Sequence, residues 1–205
     1  MNTQQMAQSI LKTNPVFLDT ETTGLGEDDQ IIEISVINTQ GRVMIDKLVK
    51  TQKECHPKAL ETHGISPEKI AEFGYDWTLI QPVLLSIFGC YPVAIFNASF
   101  DLRLIKQTCA EHGLPVPDCV HIDVMELANR HFNRHAIWDK ERSQFRRLSL
   151  ARCCELAGVE FEGKAHRALS DSKVTLALLQ AMAAGIGISH QDASNDDVLV
   201  IDLEA

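Results

Sequence analysis

With 205 residues, 45% hydrophobic and 23% charged, the chain has the size and composition of one soluble globular domain that can bury a proper core. Its formal net charge of -9 argues against a protein held on nucleic acid by a broad basic surface, but not against an enzyme that meets phosphate through bound cations. No apolar run reaches the length of a membrane span, the start Met1-Asn2-Thr3-Gln4-Gln5 lacks a signal-like pattern, and the cysteines (Cys55, Cys90, Cys109, Cys119, Cys153, Cys154) show no CxxC spacing, so a cytoplasmic protein with reduced core thiols is expected.

In chain order, Val16-Phe17-Leu18 reads as a buried strand that runs into Asp19 and Glu21, with a turn over residues 23–29. Ile31–Asn38 and Arg42–Val49, split by Thr39-Gln40-Gly41, read as a hairpin. Short helices are predicted at Pro57–Thr62 and Pro67–Phe73, and a longer amphipathic one at Trp77–Phe88. Val93–Phe96 reads as a strand, and Phe100–His112 as a helix stopped by Gly113. Val120–Asp123 and Val124–Phe132 form a further strand and helix, followed by helices at Leu148–Ala157 and Ala168–Ala184. Hairpin strands first, then strands alternating with helices, indicate an α/β domain with a mixed sheet. The domain is placed at residues 1–184 and followed by an acidic tail, 185–205. Within that tail the apolar patch Val198–Ile201 fits either a disordered terminus or a short strand that docks on its own domain or adds to a partner protein's sheet edge. Charge is also uneven: Arg130 to Arg152 holds seven Lys/Arg against Asp139 and Glu141, enough to attract phosphate.

Three acidic sites carry the chemistry. Asp19 and Glu21, two apart on a strand, point to one face, where buried carboxylates repel each other unless a hard cation lies between them. The same pattern also occurs on surface strands that simply face water. Asp101 opens a helix directly after the Val93–Phe96 strand, as a site residue or as a capping acid. Asp171 lies in the first turns of the last long helix, with His166 just before it and Arg167 between them as a phosphate contact or a solvated residue.

Together these blocks, Asp19-Thr20-Glu21-Thr22-Thr23-Gly24, His63-Gly64-Ile65, Asn97-Ala98-x-Phe100-Asp101 and His166-x-Ala168-x-x-Asp171, resemble the DEDDh branch of the 3′-to-5′ exonucleases. That branch includes the proofreading epsilon subunit of bacterial DNA polymerase III, exonuclease X and ribonuclease T. The resemblance spans about residues 15–180. Phe96 departs from it, standing where family members often carry a His, and so does the length of the basic stretch. The resemblance implies a ribonuclease H-like mixed β-sheet flanked by helices. It implies two divalent ions, Mg or Mn, held by Asp19, Glu21, Asp101 and Asp171, with His166 as general base. It also brings Thr22, Gly24, Leu25, His63, Asn97 and Phe100 to the terminal nucleotide. The expected substrate is a single-stranded or frayed DNA 3′ end, with RNA ends as the alternative. A catalytically silent module of the same fold is disfavoured, since all five catalytic side chains are present. A metal-free hydrolase is poorer still, as the chain has no G-x-S-x-G elbow. A polymerase's proofreading subunit and a stand-alone nuclease both fit, and the tail carries no convincing sliding-clamp pentapeptide.

Overall fold

The computed structural model describes residues 1–135, 138–139, 144–160 and 165–187. At its centre β1 (Val16–Thr22) pairs antiparallel with β2 (Ile31–Ile37), which pairs antiparallel with the edge strand β3 (Val43–Leu48). On its other side β1 runs parallel to β4 (Val93–Ile95), and β4 to β5 (His121–Asp123). The sheet order is therefore β3-β2-β1-β4-β5, a mixed sheet as expected.

The period of two along each strand divides the core into two layers. Phe17, Ile37 and Ala94 face one layer, built with α6 (Val124–His131), α7 (Leu150–Ala157) and α8 (Ala168–Ala183). Val16, Leu18, Ile34, Val36, Val93 and Ile95 face the other, built with α4 (Trp77–Phe88) and α5 (Ala98–Glu111). A small third cluster packs Ile32 and Leu48 against Ile65 and Ile70, around α2 (Pro57–His63) and α3 (Pro67–Phe73). Cys109, Cys153 and Cys154 are core residues, and burial pushes the Cys154 thiol up to about 12.

One helix escaped the sequence reading. Over α1 (Thr3–Lys12) the Asn2 side chain accepts the Gln5 N–H while the Gln5 side chain returns to the Asn2 N–H, a complete capping box. The buried Ala7 faces the α8 layer, and Gln8 Nε2 donates to the Ala183 carbonyl at 2.9 Å. The acidic tail beyond Gly187 and the centre of the basic stretch (136–137 and 140–143) lie outside the described residues. What is described of that stretch includes a two-residue pairing of β6 (Trp138–Asp139) with β7 (Gln144–Phe145), and Arg146 Nε on Asp139 at 3.2 Å. No helix among the described residues is long and apolar enough to cross a membrane.

Candidate active site

The acidic pair lies on β1 itself, which runs three residues past Leu18 before a register shift at Glu21/Thr22 loosens its pairing with β2. Val16 to Thr22 alternate so that Asp19 and Glu21 are the half-buried positions, on the face that α8 covers. From α8, Asp171 projects to the same place. One oxygen from each of Asp19, Glu21 and Asp171 can lie within 4.8 Å of the others. Asp101 is not in that trio but stands beside it, and its charge is the strongest of those acting on Asp19. It is 3% exposed and accepts a hydrogen bond from Thr20 Oγ1 at 2.7 Å. Capping is not its role: the N-cap of α5 is Asn97, and Asp101 is the fourth residue of the helix. Asp171 holds the same place in α8.

All four carboxyls are pushed above their ordinary range, and burial is the first cause in each case. Asp19 is raised well above, with Asp101, Asp171, Glu21 and Glu33 adding repulsion. Glu21 rises to about 8, relieved in part by Arg167. Asp101 rises to about 7 against the pull of Thr20, and Asp171 to about 6 against the imidazole charge and backbone N–H of His166. Carboxyls that must lose protons to become ligands, brought together from β1, α5 and α8 as an all-oxygen set, fit a hard divalent cation.

His166 is exposed and sits at φ 61, in the left-handed region, one residue before the N-cap Arg167. Asn97 is likewise left-handed, at φ 70. Each is a non-glycine residue in a conformation that the surrounding structure must hold in place. The expected substrate contacts lie on separate elements. Leu25 is 80% exposed at the tip of the 23–29 turn, while Thr22 is buried and donates to the Gly24 carbonyl at 2.8 Å. Phe100 is half-buried beneath the Arg103 guanidinium. His63 is buried at the end of α2, where its Nδ1 accepts the Ile65 N–H at 3.0 Å.

Three residues whose side chains tie down the surroundings of the site went unread in the sequence. Arg103 Nη1 and Gln107 Nε2, one turn apart on α5, both donate to the Gly26 carbonyl, and Gln107 also reaches the Asp29 carbonyl, so α5 staples down the turn that carries Leu25. Their partners are distant in sequence, and no local signal announces them. Glu33 did leave a signal: it is the one charge in the apolar run Ile31–Ile37, buried on both faces, opposite Glu21 in the register. Inside the same turn the Asp29 carboxylate accepts from Thr23 Oγ1 and the Gly26 N–H, each at 2.6 Å. A Cβ at Gly24 would sit 2.6 Å from that carboxylate. Gly24→Ala should therefore displace Asp29 and cost about 1–3 kcal/mol, read as a lower urea midpoint; an unchanged midpoint would mean that the turn yields freely.

A family model described as exonuclease matches residues 16–179. The chain is 35% identical over 184 residues to the uncharacterized exonuclease CP81 of Escherichia phage 186, covering 88% of this chain and 94% of that protein. It is 27% identical to a ribonuclease T of Shewanella frigidimarina, over 80% of this chain and 79% of the relative. Among solved structures, E. coli exonuclease I with single-stranded DNA matches at TM-score 0.67 and 18% identity, covering 84% of this chain but 41% of that one. Exonuclease X in complex with 5′-overhanging duplex DNA matches at 0.59 and 24%, covering 86% of this chain and 95% of that one. The sheet and its flanking helices are those of the ribonuclease H-like exonucleases. The chain thus belongs to the exonuclease family, as a nuclease that binds nucleic acid and whose acidic cluster answers to a divalent cation.

Proposed function

We propose that the chain is a cytoplasmic 3′–5′ exonuclease that releases nucleoside monophosphates from single-stranded or frayed DNA 3′ ends. Asp19, Glu21, Asp101 and Asp171 are the metal ligands and His166 the general base. The observation that carries this reading is the convergence of Asp19, Glu21 and Asp171 within 4.8 Å, with Asp101 next to them. These four carboxylates would hold a pair of Mg or Mn ions, which would supply charge stabilisation for the attacking and leaving oxygens of the phosphodiester.

The chain's own residues do the rest. His166, exposed at the mouth of the cluster, takes the proton of the attacking water through its imidazole. Thr20 holds the Asp101 carboxylate through Oγ1. Leu25, held out by Arg103 and Gln107, wedges against the terminal base, and Phe100 supports it from α5. Gly24 lets backbone approach the nucleotide, while Thr22 and Asn97 shape the two flanking turns. His63 contributes by fixing the Gly64-Ile65 turn, since its Nδ1 is already used there.

A second reading, trimming of RNA ends, is favoured by the likeness to ribonuclease T, whereas the exonuclease I and exonuclease X complexes with DNA favour the first. A digest of 5′-labelled DNA and RNA oligonucleotides separates them. Mg²⁺ should produce a ladder shortening from the 3′ end, abolished by chelator and by Asp19→Ala, with DNA degraded faster. Faster RNA trimming would transfer the assignment to the second reading. The absence of any release would leave a silent binding module.

A further inference from the structure

Glu33 is a buried charged group with no part in the proposed chemistry. Glu33 is 2% exposed on β2, opposite Glu21, and adds a fifth acid to an already crowded site. Its carboxylate accepts from Arg167 Nε (3.1 Å to Oε1, 3.0 Å to Oε2) and from Arg167 Nη2. The same carboxylate accepts the Ala168 N–H at 3.0 Å, the first residue of α8. The N-cap Arg167 makes no side-chain cap of its own, so Glu33 caps this helix from the sheet.

We propose that the Glu33–Arg167 clamp is the device that positions His166 for proton transfer. His166 is the left-handed residue immediately before the two clamped positions. Among the described residues nothing hydrogen-bonds its imidazole, so the ring's orientation rests on the backbone that carries it. That backbone is strained, and a bidentate guanidinium–carboxylate pair plus a backbone bond, all on one buried carboxylate, over-determine its C-terminal side. The Nε and Nη2 donors of the guanidinium are committed to Glu33, so Arg167 is not the merely solvated residue that its sequence position allowed. Arg167 and Glu33 are positioning residues that act through His166, and the role rests on the proposed assignment of His166 as base.

A double-mutant comparison on a short single-stranded DNA with Mg²⁺ tests it. Arg167→Met should lower kcat about 10–100-fold with KM and its salt dependence little changed. In a His166→Ala background the same substitution should change kcat by less than about threefold, because its target is gone. Arg167→Lys, keeping one charged donor but not the fork, should recover part of the loss. Amide exchange at Arg167 and Ala168, measured without metal, should quicken in Arg167→Met and in Glu33→Gln. If Arg167→Met folds poorly, Arg167→Lys carries the same cycle. A full-sized loss in the His166→Ala background, or a loss residing in KM and the salt slope, overturns the clamp while leaving the nuclease assignment standing. A wild-type chain without nuclease activity overturns both.

Discussion

Asp19→Asn is expected to cut exonuclease turnover by at least ~10²–10⁴-fold while raising the melting temperature measured in chelator. The two effects have one cause. Burial is the main reason that Asp19 resists ionisation, and Asp101, Asp171, Glu21 and Glu33 each add repulsion. The amide has the carboxylate's shape without its charge, so the substitution relieves the crowding and at the same time removes a ligand. Single-turnover digestion and thermal melts without metal check both halves. A variant that keeps its turnover, or that melts lower in chelator, would mean that Asp19 is a structural group and that the cluster has another purpose.

The same carboxyls give metal-free stability a definite pH dependence. Glu21 titrates near 8 in the folded chain against an ordinary 4.5, Asp101 near 7 and Asp171 near 6 against an ordinary 3.8. Between about pH 4 and about pH 8 the folded state therefore binds more protons than the unfolded one, and stability falls as pH rises through that window. A divalent cation takes the place of those protons, so its stabilising effect should be small near pH 5 and large near pH 8. The Asp19→Asn variant should show a flatter profile in chelator and a smaller response to Mg²⁺ or Mn²⁺.

Strand and helix positions were legible because hydrophobic period and turn chemistry agreed along most of the chain. Trp77–Phe88 and Pro67–Phe73 match the structure residue for residue, and the hairpin of β2 and β3 lies where the Thr39-Gln40-Gly41 turn put it. The missed α1 also had a readable start, since Asn2 and Gln5 are spaced as a capping box ahead of Met6, Ala7, Ile10 and Leu11. The acids were legible as residue types in order, but their convergence was legible only through the family resemblance. It depends on α8 crossing the face of β1 that carries Asp19 and Glu21, which no local pattern encodes. Glu33 shows the boundary between the two cases. A lone Glu in Ile31–Ile37 signals a buried charge that needs a partner, yet only the fold reveals Arg167, 134 positions away.

Replacing His166 should separate catalysis from folding more sharply than any other change. His166→Gly removes the imidazole and supplies the residue that adopts φ 61 without strain, so the melting temperature should hold or rise. Turnover should nevertheless fall ~10²–10⁴-fold, the usual cost of losing a positioned base. Because the ring is exposed, little packing is lost with it. The limb of the pH–rate profile that reports the base should vanish, while KM for a short DNA stays near its wild-type value. Exogenous imidazole should restore part of the rate to His166→Gly, since the vacated space opens to solvent. Loss of DNA binding without any such rescue would make His166 a substrate contact and move the search for the base elsewhere in the cluster.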